Sequence, residues 1–130
     1  MKQSGKLTGN VEVAGDCAYY RPAGKVTLEE AIEVLDQAIA HVRNQRIPKL
    51  LFNGHGLTGF LSPSLPERYF AARRFAATSQ SQVQLAFVIL AEMIDPEKFG
   101  VLVARNSGMN VDVFAQEPEA LAWLLSEPAN

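Results

Sequence analysis

At 130 residues and 48% hydrophobic content, the chain is long enough to bury one substantial core and too short for two. Its formal net charge of -2, with 20% charged residues, excludes the strong basic field that draws nucleic acid or an anionic membrane surface. Cys17 is the single cysteine, so an intramolecular disulfide and a cysteine-rich zinc site are also excluded, and a reducing, cytoplasmic setting is expected.

No apolar leader follows Met1-Lys2, and the longest apolar run, Leu85 to Ala91, falls well short of the roughly 20 residues that a membrane helix needs. Residues 1–10 are polar and glycine-containing and read as a lead-in in which Leu7 could begin a strand; one domain is expected over residues 11–127. Val11 to Val13, a turn at Ala14-Gly15-Asp16, and Cys17 to Tyr20 read as a β-hairpin. Pro22 cannot donate to a ladder, so the second strand ends there or lies at an edge.

Thr27-Leu28-Glu29-Glu30 fits a capping box, in which the threonine hydroxyl and the Glu30 carboxylate satisfy each other's orphan amides. Leu28, Ala31, Ile32, Leu35, Ala38, Ile39 and Val42 then recur at helical spacing, giving one apolar stripe that packs on a sheet. His41 lies beside the stripe, and no partner residues around it suggest a role. Lys49-Leu50-Leu51-Phe52 is short and continuously apolar, as an inner parallel strand covered on both sides should be.

The segment from Phe52 to Glu67, FNGHGLTGFLSPSLPE, leads out of that strand and opens a helix. Such strand-to-helix passages are where open α/β sheets bind ligands. Ser64-Leu65-Pro66-Glu67 is a second capping box, and the helix it opens is expected from about Leu65 to Ala77. Arg68, Arg73 and Arg74 make this the most basic helix of the chain. A polar loop over residues 78–82 precedes a strand from Val83 to Leu90. Asp95-Pro96 predicts the N-cap and first position of a third helix, with Phe99, Leu102 and Val103 inward and a stop at Ser107-Gly108. Met109 to Phe114 alternates as a half-exposed strand, and Pro118-Glu119 opens a last helix carrying Ala120, Leu121, Trp123, Leu124 and Leu125. The order β-β-α-β-α-β-α-β-α predicts an α/β domain with a mixed, mostly parallel sheet of about five strands and about four helices.

Two stretches carry a family resemblance. One is the hairpin running through Ala23-Gly24-Lys25-Val26-Thr27 into the capped helix. The other is the strand Gly108 to Phe114 running through Glu117-Pro118-Glu119-Ala120 into Leu121-Ala122-Trp123-Leu124. Together they resemble the SpoIIAA-like family, relatives of the STAS (sulfate transporter and anti-sigma-factor antagonist) domains, over most of the chain from Val11 onward. The resemblance implies a single-domain SpoIIAA-like fold and a regulatory role. In STAS antagonists the loop after the central strand carries a serine that a partner kinase phosphorylates, usually preceded by aspartate. Here the matching segment is Leu57 to Ser64, with Ser62 and Ser64 near that position and no aspartate before either.

The chemistry of the segment has competing readings. Asn53-Gly54-His55-Gly56 could form an anion-binding nest with His55 as an extra donor, or its glycines could simply let the chain turn out of the strand with His55 solvated. It has neither the lysine of a phosphate-binding P-loop nor the glycine spacing of a dinucleotide fingerprint. Ser64 reads first as a helix cap, at a helix start where a phosphate would also be tolerated with Arg68 one turn away. Cys17 reads as a small buried residue, and the two histidines lack the spacing of a metal site. No cofactor is expected. The arginines of the second helix read as a solvated face, a phosphate contact or a patch for an acidic partner. Phe60, Tyr69 and Phe70 are expected mainly in the core, the alternative being an aromatic and basic surface.

Three functions are consistent with this pattern. The first is a non-enzymatic binding or regulatory module that recognises a protein partner or a small amphipathic ligand through the region 53–74, using Asn53, Gly54, His55, Gly56, Ser62, Ser64, Arg68 and Arg73. Pairing with a second copy stays open as part of that reading. The second is a small hydrolase or transferase using His55 with Ser62 or Ser64, which requires the histidine within hydrogen-bond reach of a serine. The third is a carrier of lipid or another apolar ligand, which requires an enclosed apolar pocket between the second helix and the sheet.

Overall fold

Short strands whose side chains point alternately up and down, and are apolar both ways, can be stable only if both faces of the sheet are covered. The computed structural model describes residues 7–126 and meets that requirement with helices on each side. Its strands are β1 (Glu12–Ala14), β2 (Cys17–Tyr20), β3 (Ala23–Lys25), β4 (Lys49–Asn53), β5 (Gly56–Thr58), β6 (Gln84–Val88) and β7 (Asn110–Phe114). Its helices are α1 (Leu28–Asn44), α2 (Leu65–Ser79), α3 (Phe99–Asn106) and α4 (Glu117–Ser126), with a single 3-10 turn at Ala91–Met93.

The main sheet runs β1-β2-β4-β6-β7, with β1 antiparallel to β2 and every other pair parallel. This is the mixed, mostly parallel five-stranded sheet that the element order predicts. On one face Ala18, Tyr20, Leu50, Phe52, Leu85 and Val111 meet the inner sides of α1, α2 and α3. The rings of Tyr20, Phe52 and Phe87 pack edge to face across neighbouring strands, with centroids 5.6 and 5.8 Å apart. On the other face Cys17, Leu51, Ala86 and Val88 meet Ala120 and Leu124 of α4. Lys49 is buried on that second face and donates to the Leu124 carbonyl at 2.6 Å, which satisfies an orphan acceptor near the end of α4.

Both capping boxes form. Thr27 Oγ1 accepts from Glu30 N at 3.0 Å and Ser64 Oγ from Glu67 N at 3.3 Å, while the two glutamates accept from the cap amides in return.

A second, two-stranded sheet, β3 parallel to β5, lies in stretches that read as turn and loop in the sequence. It prolongs the β2–β4 pair past an interruption. Three residue steps separate Tyr20 from Ala23 and four separate Phe52 from Gly56, so the β4–β5 side carries one extra residue, the signature of a bulge. Pro22 on the facing strand has no amide to bond at that point. Of the lead-in expected over residues 1–10, positions 1–6 lie outside the described residues; Leu7 is buried, and Thr8 donates its amide to the Ala23 carbonyl at 2.9 Å.

The third helix departs from expectation. Asp95 to Lys98 closes as a turn, with the Lys98 amide donating to the Asp95 carbonyl at 2.9 Å, and the helix proper starts at Phe99. Asp95 still supplies a cap from farther back, its Oδ2 accepting from the Phe99 amide at 2.7 Å. Leu102, expected inward, is 53% exposed.

Where β5 leads into the α2 loop, Gly59 has φ +102° and an added Cβ would stand 2.6 Å from the Val26 carbonyl oxygen. Gly59→Ala should therefore destabilise the protein by about 3 kcal/mol, through both the left-handed backbone and the clash, as read from urea unfolding midpoints.

Candidate functional site

The bulge decides where the residues of the 53–56 cluster go. Its amides are largely engaged: Gly54 donates to the Val88 carbonyl at 2.8 Å, and His55 donates to Asn53 Oδ1 at 2.9 Å. Asn53 in turn donates through Nδ2 to Glu117 Oε2 at 2.7 Å. Glu117, in the first turn of α4, also takes a two-pronged contact from Arg21, with Nε at 2.7 Å and Nη2 at 3.0 Å. Arg21 stacks over Tyr19 with its guanidinium carbon 5.5 Å from the ring centre and reaches Glu12 at 3.5 Å. His55 sits close enough to help hold the Glu117 carboxylate in its charged form, and its Nε2 is buried without a hydrogen-bond partner among the described residues.

The serines belong to a different group. Ser64 is committed to its capping box. Ser62 Oγ accepts from Arg68 Nη2 at 2.9 Å, and the same guanidinium donates to the Pro63 carbonyl at 3.1 Å and the Met93 carbonyl at 3.0 Å. Arg68 thus ties the loop before α2 to the turn before α3. Among the described residues no hydrogen bond joins His55 to Ser62 or Ser64, so the relay that a hydrolase needs is not assembled. Arg73 lies farther along α2 and donates to the Tyr69 hydroxyl at 3.2 Å.

The side chains of α2 are distributed against the usual pattern. Ala72 and Ala76 are buried on its inner side, whereas Leu65 is 53%, Tyr69 37% and Phe70 70% exposed, and Leu61 in the preceding loop is 88% exposed. Tyr69 and Phe70, expected mainly in the core, are instead at the surface, where they pack edge to face with centroids 5.3 Å apart. Phe60 is half-buried against the core as expected.

Small inner residues leave space. A cavity of about 170 Å³ lies between α1, α2, α3 and the sheet. Phe52, Leu85 and Val111 form its floor, Leu35 and Phe75 its walls, and Ala72 part of its roof. Its rim carries Glu67, Arg68, Asp95 and Lys98. An apolar pocket therefore lies between the second helix and the sheet, where the carrier reading expects one, although it is partly open rather than enclosed.

Sequence reasoning missed Arg21 and Glu117, although each lies at a signalled place, just past the end of one strand and at the first turn of a helix.

Solved structures superpose on this arrangement along nearly its whole length. An anti-sigma factor antagonist from Mycobacterium paratuberculosis superposes with a TM-score of 0.57 at 16% identity, over 95% of this chain and 99% of that one. An uncharacterized protein with a SpoIIAA-like fold from Shewanella loihica PV-4 gives a TM-score of 0.52 at 17% identity, over 95% and 98%. The fold is SpoIIAA-like. No protein-family model and no curated protein matches the chain. Among the described residues of this SpoIIAA-like domain there is no metal-binding cluster of histidine, cysteine and acidic side chains, and no helix is long and apolar enough to cross a membrane.

Arg21, and to a lesser degree Asn53, holds the Glu117 carboxyl below its ordinary value of 4.5. A carboxyl depressed in the folded state contributes stability that is present above the unfolded value and lost as pH falls through the folded one. Glu117→Gln should therefore lower stability by about 1 kcal/mol at pH 7, and the gap to the native protein should close below about pH 4.5, measured as urea midpoints across that range.

Proposed function

We propose that the chain is a cytoplasmic, non-enzymatic regulatory module that docks a protein partner on the outer side of the loop and helix between Leu61 and Arg73. The observation that carries this reading is the clustered exposure of Leu61, Leu65, Tyr69 and Phe70, whereas the other exposed large apolar residues, Val13, Leu102 and Leu125, are scattered over three different elements. Leu65, Tyr69 and Arg73 follow at four-residue spacing along one flank, and Arg73 stacks on Tyr69 at 5.9 Å. Aromatics beside an arginine are the side chains that most often dominate binding energy at protein interfaces. Arg74 is spent on Glu33 and Asp36, whereas Arg73 has no ion pair among the described residues. The fitting partner is therefore a surface with an apolar centre and carboxylates at its rim.

The mycobacterial neighbour is an anti-sigma factor antagonist, and its likeness to this chain supports a regulatory role of the same general kind. In this reading Ser62, Ser64 and Arg68 set the path of the docking loop. Asn53, Gly54, His55 and Gly56 form the bulge on which that loop is mounted. A small amphipathic ligand is the second reading, favoured by the cavity beneath α2, and a carrier role would use the same space.

Partners retained by the native chain and lost by Phe70→Glu should be identified, purified and titrated directly. Phe70 is exposed, so Phe70→Glu should keep the native unfolding midpoint while weakening the purified complex at least tenfold. An unchanged affinity would remove this face from the interface, and sedimentation of the chain alone would reveal a second copy as the occupant.

A further inference from the structure

We infer that the cavity beneath α2 takes a short-chain carboxylate of about six carbons, its tail among the apolar side chains and its carboxylate on Arg68. This rests on the small-ligand reading above and names the ligand class for it.

Size comes first. An apolar void of about 150 Å³ takes up a benzene ring, so a cavity of about 170 Å³ holds a tail of similar bulk. A chain much longer than about eight carbons would have to leave part of itself in water. Lining comes second. Leu35, Phe52, Phe75, Leu85 and Val111 offer nothing that could bond a polar group, so any polar end of the ligand must lie at the rim.

Charge at the rim selects the head group. Glu67 is held by the capping box, accepting from the Ser64 amide at 2.8 Å. Asp95 accepts from the Phe99 amide, and Lys98 is paired with Asp112 at 3.0 Å. Arg68 differs. All of its side-chain acceptors are neutral, namely Ser62 Oγ and the Pro63 and Met93 carbonyls, and among the described residues it joins no ion pair. It also stands at the end of the first turn of α2, where the helix dipole disfavours a cation and favours an anion. A carboxylate at this position would neutralise the guanidinium and complement the helix start together.

The test is titration of the purified protein with hexanoate and with neutral hexanol, followed by calorimetry and by the NMR shifts of the Leu35, Leu85 and Val111 methyl groups. Hexanoate should bind and move those methyls, and each methylene added from butanoate upward should tighten binding about fourfold until the cavity is full. Arg68→Gln should weaken hexanoate about tenfold and leave hexanol unchanged, and Arg68→Lys should recover part of the loss. Ala72→Met, which puts a flexible apolar chain into the cavity, should abolish binding of both while keeping or raising the thermal midpoint. Equal binding of both probes, with no effect of Arg68→Gln, would overturn the carboxylate assignment and leave the small-ligand reading standing. Failure of both probes to move the cavity methyls would overturn both.

Discussion

The central strand β4 has to satisfy two cores at once, and much of the molecule follows from how it does so. Leu50 and Phe52 enter the layer beneath α1 to α3, while Leu51 and the stem of Lys49 enter the layer beneath α4. A strand fixed on both faces has no freedom of register, because a slip of one residue would send each set to the wrong side. The chain is therefore delivered to the sheet end with a defined orientation, and only there, past Asn53, can it change direction. The extra residue at Gly54-His55 is that change: it breaks the ladder opposite Pro22, restarts it as β3–β5, and launches the loop toward α2.

Helix α2 is the second determinant. Most surface helices present large apolar residues to the core and polar ones to water. Here the inner side carries Ala72, Ala76 and the partly buried Phe75, and Leu65, Tyr69 and Phe70 face outward. The burial that such a helix gains is small, so its position is fixed by polar ties as well as packing. Arg74 reaches Glu33 and Asp36 on α1, and Arg68 reaches the Met93 carbonyl before α3. Arg74 accordingly holds the Glu33 carboxyl below its ordinary value. These ties link α2 to α1 and to the turn before α3, and the composition of the helix leaves aromatic side chains at its surface.

What could be read from the sequence follows the same division. The strands β2, β4, β6 and β7 and the helix α1 were legible because burial imposes a period that composition displays. Both capping boxes were legible because their chemistry is local to four residues. The strands β3 and β5 were not, since Ala23-Gly24-Lys25 and Gly56-Leu57-Thr58 have neither the length nor the composition of a strand and form only because β2 and β4 aim them at each other. The start of α3 was misplaced because Asp95-Pro96 carries a genuine helix-start signal, and the turn that absorbs it is set by Lys98 in a left-handed conformation. The outward placement of Phe70 was missed for a simpler reason. Hydrophobicity says that a ring prefers to be buried, and α2 has only one inner face, which Ala72, Phe75 and Ala76 already occupy.

The sheet itself separates the two polar groups that the strand-to-helix segment contributes. Asn53 shares with Lys49 and Leu51 the side of β4 that faces α4, and there it meets Glu117 and Arg21. Ser62 and Arg68 lie on the opposite side, with α2 and the turn before α3. Glu117 is fully engaged by Arg21 and Asn53, so the cluster around it acts as a clip joining the end of β2, the end of β4 and the start of α4. The proposed binding falls on the other side, where an arginine bonded only to neutral acceptors borders an apolar cavity and a row of large apolar side chains is exposed to water. A serine-histidine reaction would need groups from both sides of the sheet, whereas binding needs only one.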